Sequence, residues 1–405
     1  MLKKTKIIPI VLLLIMVITA MVTILYVHSS NDIVTPQVAT SALNEVSPSD
    51  WDASRVTVVY DTEGVAVPVP NGFVASGADG EHTVKTGFVI YEGTDAVTTS
   101  NANAQSKIRN QWVWIPVSDP SRIYEESDGK KTAKLWSFSS SGRTRLLNDG
   151  REPDLATEYD TVANLVNNGL IGTTPNGLYQ ELQTEFDATI ESIKKYGGFY
   201  IGRYETGNMS ASHREPVIQR LNDDIDYVCW YGSYTKLKNL NTNANIKANI
   251  LWGCLRDETL QWLYETGNKT YAQLASDSTS WGNYYNSSFT YTTTSGGTAT
   301  RSSGKFQKVP TGSTERHKAN NIYDLAGNMW EVTMEAFSSS CRRYCGGSGG
   351  DYGYSSPAAF CGTGTNNVPA HSNNSTRCSR VLLYQVRKIF DFSYALINWV
   401  LMAIQ

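Results

Sequence analysis

Asn321–Thr333 reads NIYDLAGNMWEVT, and its composition is that of a bend rather than of a helix or a strand. Asp324 and Glu331 stand seven positions apart. Between them Leu325-Ala326-Gly327-Asn328 is a turn-prone run able to aim backbone carbonyls at one point. Two carboxylates and a bent backbone suit a calcium ion, which takes about six to eight oxygens from carboxylates and carbonyls. The competing reading is a structural role, with Asp324 capping a turn, Asn328 in the left-handed region and Trp330 in the core.

Regular elements are expected outward from this bend. Leu182, Phe186, Ile190 and Ile193 recur at helical spacing, which predicts a helix over Tyr179–Tyr196 that stops at Gly197-Gly198. Phe199–Tyr204 (FYIGRY) then reads as a strand. A second helix fits Cys254–Glu265, with Leu255, Leu260, Trp262 and Leu263 apolar and Gly267 as its stop. From there to Ser313 the chain is rich in Tyr, Thr, Ser, Gly and Asn, which predicts long loops. Toward the N-terminus, Arg55–Tyr60, Gly87–Tyr91 and Gln111–Val117 are short β-like runs. Few strands, two helices and long loops predict an α+β domain.

The chain has 405 residues, 40% hydrophobic and 18% charged, which excludes a disordered polymer. No basic run follows the first six residues, so nucleic acid is not expected as a partner. Lys3, Lys4 and Lys6 precede Ile7–Val27, which runs 21 residues without a charge. As a helix it would span about 31 Å against a bilayer core of about 30 Å. The lysines place the tip inside and the rest of the chain outside the cell. A cleaved leader fits less well, because its apolar stretch is shorter and a small-residue cleavage site follows it. Val386–Gln405 is apolar but carries Asp391 and Asn398 and opens with Arg387-Lys388, which suits an interfacial or packing helix. The expected organisation is a basic tip and anchor over 1–28, a stalk over 29–50 and a β-rich lead-in over 51–117. A linker over 118–178, the main domain over 179–385 and an apolar tail over 386–405 complete it.

Taken in order, GGFYIGRYETG (Gly197–Gly207), Trp281-Gly282-Asn283, the NIYDLAGNMWE block, Gly346-Gly347-Ser348 and SRVLL (Ser379–Leu383) resemble a known family. It is the formylglycine-generating enzyme or sulfatase-modifying-factor domain family, a variant of the C-type-lectin-like fold. The resemblance covers roughly Gly197–Tyr384, and Val67–Val117 is similar to the lead-in of bacterial surface or prophage-borne members. It implies that fold, with long irregular loops, and a calcium site at Asp324, the carbonyls of Gly327 and Met329, and Glu331. It also implies that an active oxidase holds Cu(I) on two cysteines, three and eight residues after the serine of Gly-Gly-Ser. Those positions here are Asp351 and Ser356, so copper is not expected. Related sequences carry Gln-Trp where this chain has Leu255-Arg256, which implies a lost core aromatic and an added charge.

Cys229, Cys254, Cys341, Cys345, Cys361 and Cys378 all follow the anchor, where oxidation is permitted, and some are expected to form disulfides. His28, His82, His213, His317 and His371 are scattered and read as solvated, as do the acidic pairs Glu181/Glu185 and Asp257/Glu258. No nucleotide-binding or serine-hydrolase motif is present. The expected function is a single-pass, membrane-anchored extracellular protein, held in the bilayer through residues 7–27, with a non-catalytic ligand-binding or adhesion domain and an unidentified extracellular ligand. Trp281, Tyr284, Tyr285, Tyr291, Tyr352 and Tyr354 are the candidate contacts, since Tyr and Trp offer area at low entropic cost. Core packing is the competing reading for each. The alternative function is a thiol oxidoreductase with relocated cysteines, Cys341 and Cys345, beside Ser348.

Overall fold

The computed structural model describes residues 47–146, 175–209, 216–225, 230–238, 240, 246–338, 341–365 and 377–385. The expected anchor, most of the stalk and the apolar tail lie outside them. Among the described residues no helix is long and apolar enough to cross a membrane. Contacts divide the chain after Ala39, and every described residue belongs to the unit Thr40–Gln405.

The helix Pro175–Tyr196 turns Leu182, Phe186, Ile190 and Ile193 fully inward. Each such side chain contributes roughly 1.5–3 kcal/mol by leaving water. Gly197, at φ +77°, ends the helix and donates its N–H to the Ile193 carbonyl at 2.8 Å. The strand Gly198–Gly202 starts at once. A Cβ on Gly198 would sit 2.3 Å from the Ile115 carbonyl oxygen and 2.6 Å from the Trp114 ring, so this position admits only glycine.

That strand is near the middle of a seven-stranded sheet. Its order is Val97–Thr98, Phe73–Gly77, Val89–Glu92, Gln111–Pro116, Gly198–Gly202, Val381–Gln385, Ile246–Ile250. Neighbours are antiparallel except Val97–Thr98, which runs parallel to Phe73–Gly77. Gln111–Pro116 is buried at every position, as a strand covered on both faces must be. The sheet runs across the division drawn at Val117, because Gln111–Pro116 pairs directly with Gly198–Gly202.

A second sheet has the order Cys361–Thr365, Cys341–Cys345, Trp330–Ser338, Arg377–Ser379, the last pair being parallel. Ser379 ends in this sheet and Val381 begins in the large one, so Arg380 alone connects them. The second expected helix is present as Gly253–Glu265.

The architecture is mixed α and β as expected, but strands are more numerous than the sequence reading allowed. The region read as linker holds two hairpins, Tyr124–Ser127 with Lys130–Ala133 and Trp136–Ser139 with Gly142–Arg145. Asp128 and Gly129, at φ +52° and +76°, make the first turn, and such a dipeptide favours a hairpin because both residues tolerate positive φ. The stretch read as loops before Ser313 holds the short helix Tyr271–Ala275, closed by a capping box between Thr270 and Gln273. It also holds a hairpin, Phe289–Thr292 with Thr298–Arg301.

Candidate functional site

The NIYDLAGNMWE bend sits where the two sheets meet, and arginines organise it. Arg380 donates Nε to Glu331 Oε1 at 2.5 Å, Nη1 to the Gly202 carbonyl at 2.9 Å and Nη2 to the Tyr323 carbonyl at 2.7 Å. Arg256 donates Nε to the other oxygen of Glu331 at 3.2 Å, and its Nη1 and Nη2 to the carbonyls of Ala358 and Leu325 at 2.8 and 3.0 Å. Both guanidiniums and Glu331 are buried. Arg256, read from sequence as a lost aromatic, is thus a fully satisfied buried cation tying three segments together.

Asp324 Oδ2 accepts from Thr311 Oγ1 and the Gly312 N–H, each at 2.8 Å, and Oδ1 lies 3.0 Å from His317 Nδ1. His317 is completely buried, which corrects its reading as a solvated residue. Asn328, at φ +61°, accepts from the Val309 N–H and Asn283 Nδ2 at 2.9 Å and donates Nδ2 to Glu205 Oε2 at 2.5 Å. Gly327, at φ +69°, has room for no side chain, since a Cβ would lie 2.1 Å from the Asn283 carbonyl oxygen.

Glu205 is fully buried and accepts from the Met329 N–H at 3.2 Å. Burial pushes its carboxyl well above the usual range, and the charges of Asp324 and Glu331 push it further. Burial also pushes the Cys378 thiol up, aided by Glu205 and Glu331, and its Sγ lies 3.6 Å from Glu205 Oε1. Ligand atoms of Glu205, Glu331 and Cys378 fall within 4.8 Å of one another. Both Glu331 oxygens face guanidiniums, which occupy the positions that a cation held by this set would need. The expected calcium set of Asp324, Gly327, Met329 and Glu331 shares that obstacle at Glu331, and the Asp324 oxygens are engaged by three protein donors.

The two positions that the resemblance would fill with copper-binding cysteines hold a loop together. Asp351 Oδ2 accepts from Ser348 N and Oγ at 2.9 and 2.6 Å, and the Ser356 N–H donates to the Tyr352 carbonyl at 2.9 Å. A carboxylate and a hydroxyl at these two positions do not fit Cu(I), which prefers soft thiolates. Cys345 and Cys361 face each other across paired strands and form a disulfide. The relocated pair Cys341 and Cys345 therefore has no free thiol at Cys345. Cys254 and Cys378 are buried free thiols among the described residues.

Two of the aromatic candidates are core, not surface. Trp281 donates Nε1 to the Gln273 carbonyl at 3.1 Å, and the buried Tyr284 donates its hydroxyl to the Gly346 carbonyl at 2.9 Å. Tyr291 is half-buried and accepts from Gln307 Nε2 at 3.1 Å. Tyr285, Tyr352 and Tyr354 do come together as a ladder, with successive ring centroids 5.2 Å apart. Tyr352 is 41% exposed and Tyr354 59%. Tyr354 also lines a groove of about 520 Å³ with Trp136, Phe138, Leu146, Arg343 and Phe360.

Sequence reasoning missed that groove because Trp136 and Phe138 come from the second hairpin of the supposed linker. Asp257 anchors it: Oδ2 accepts from the Trp136 N–H at 2.9 Å and pairs with Arg343 Nη1 at 3.3 Å. Asp257 and its neighbour Glu258 are buried rather than solvated, as is Glu185. Glu258 pairs with Arg122 and Arg143, and burial still brings its carboxyl up to about 7. Arg143 in turn lies 4.3 Å from the Trp136 ring centroid.

Scanned against protein-family models, the chain matches none, and no curated protein matches it. One solved structure, the crystal structure of CarF, aligns at 14% identity over 47% of this chain and 87% of its own, with a TM-score of 0.28. A likeness that shallow carries no argument about fold or function.

Proposed function

We propose that the chain is a membrane-anchored extracellular binding module with a sulfatase-modifying-factor-like, C-type-lectin-like domain and no oxidase chemistry. The observation that carries the binding reading is the Tyr285–Tyr352–Tyr354 ladder, exposed at Tyr352 and Tyr354, which reaches the groove that Tyr354 lines. Rigid aromatic rings in a row offer contact area at small entropic cost, and the arginine-backed wall beyond adds hydrogen-bond donors. The ligand class this favours is flat or ring-bearing. The same loop supports the absence of oxidase chemistry, since its two positions carry oxygen groups in place of thiolates and the Asp351 carboxylate is spent on Ser348. The bend supplies a fold rather than a calcium site, its carboxylates being matched by Arg256, Arg380, His317 and Thr311.

Fluorescence titration of the full chain with panels of neutral oligosaccharides and of aromatic-rich peptides tests this. Saturable binding that falls at least about tenfold in Tyr352→Ala and Tyr354→Ala, a loss of about 1.4 kcal/mol, supports the reading. Binding by neither panel, or binding that ignores both substitutions, overturns it.

A further inference from the structure

A second groove, of about 390 Å³, shares no residue with the first. Arg203, Tyr204, Tyr323 and Arg220 line it together with Asp79 and Glu81. Arg203 is buried, paired with Glu81 at 2.6 Å and bonded to the Tyr91 hydroxyl at 3.2 Å and Gln111 Oε1 at 3.0 Å. Its Nε–H has no partner among the described residues. Tyr204 and Tyr323 lie with ring centroids 5.2 Å apart, and the Arg203 guanidinium is 5.6 and 5.7 Å from them.

The charges that line this groove are not all matched. Glu81 is committed to Arg203, and Glu315 accepts from the Tyr323 hydroxyl at 2.6 Å and pairs with Lys318 at 2.5 Å. Arg220 gives Nε to the Gly312 carbonyl at 2.8 Å and Nη1 to Asn103 Oδ1 at 2.7 Å, and its charge also acts on Glu315, while Nη2 has no hydrogen-bond partner among the described residues. The Asp79 carboxylate is exposed and has no partner among them either. An unbonded guanidinium edge of Arg220 and an unbonded Asp79 carboxylate therefore line a single concavity, beside an aromatic pair and the hydroxyls of Thr99 and Ser106. A ligand carrying one charge would leave the opposite group unmatched, whereas one carrying both matches each. The volume lies at the lower end of small-molecule sites, about 300–1,000 Å³.

We propose that this groove binds a small zwitterion of the free α-amino-acid class, with its carboxylate on Arg220 and its ammonium on Asp79. Isothermal titration of the full chain with a set of free L-amino acids tests this, with acetate and methylamine as single-charge probes. At least one amino acid is expected to bind about tenfold or more tightly than either single-charge probe. Arg220→Met and Asp79→Asn should each weaken it about tenfold, while Tyr352→Ala in the other groove leaves it unchanged. Because Asp79 is exposed, Asp79→Asn keeps the test sound if Arg220→Met melts early. No saturable amino-acid binding overturns the proposal, as does binding equal to that of the single-charge probes or indifference to Asp79→Asn.

Discussion

At the residue scale, buried charge does most of the specifying. Arg256 and Arg380 flank Glu331, and removing one cation leaves a buried carboxylate short of its partner. Arg256→Met should therefore cost roughly 3–5 kcal/mol in urea unfolding. Adding Glu331→Gln should return part of that loss, and a single variant as stable as the parent would refute the role. Glu185 gives a second test. Burial brings its carboxyl up to about 7, against the opposing influence of Lys247 and the hydrogen bonds from Tyr234 and Asn249. The folded chain then holds a proton there that the unfolded chain releases near pH 4.5, so this contribution is full below 4.5 and fades as pH rises through 7. Each tenfold gain in proton affinity is worth about 1.4 kcal/mol, which makes the swing on the order of 3 kcal/mol. Urea midpoints from pH 4.5 to 8 should fall with pH in the parent and fall less in Glu185→Gln, while Glu258 keeps part of the slope. Parallel pH profiles for parent and variant would show that Glu185 is not the group involved.

At the element scale, what was legible depended on how local the signal was. The helix Pro175–Tyr196 and its glycine stop were readable because the 3.6-residue period and the Gly197 terminator lie within one stretch. The bend was readable because Asp324, Gly327 and Asn328 carry their own turn preferences. The Asp128-Gly129 hairpin has an equally local turn signal, but its strands are polar and half-exposed and show no apolar alternation to frame it. The role of Arg256 was not legible, since its partners Leu325, Glu331 and Ala358 lie far along the chain. The edge strand Cys361–Thr365 is tied to its neighbour by the Cys345–Cys361 disulfide, which closes a separation of 16 residues. A loop of that length stabilises by about 3 kcal/mol through the unfolded state. The double variant Cys345→Ala/Cys361→Ala should lose on the order of that amount in thermal or urea melts. No loss would mean that strand pairing alone fixes this edge.

At the scale of the whole molecule, one sheet gathers strands from Phe73 to Gln385, so the lead-in and the main domain should unfold together. Urea unfolding followed by tryptophan fluorescence and by far-ultraviolet circular dichroism should give coincident transitions. Separate transitions would restore a boundary near Val117. The two grooves use side chains from hairpins, the helical turn at Ala102–Gln105 and irregular loops, and the second borders the ionic hub at Tyr323; binding residues concentrate on such segments of a rigid scaffold. The central claim is that the loop Gly346–Ser356 serves binding rather than thiolate chemistry. Copper content and native thiol reactivity, measured on one preparation of the full chain, test it most directly. The account predicts no copper in proportion to protein and no reaction at Cys345 or Cys361 before reduction. Stoichiometric copper lost in Cys345→Ala would contradict it and favour the thiol-oxidoreductase alternative.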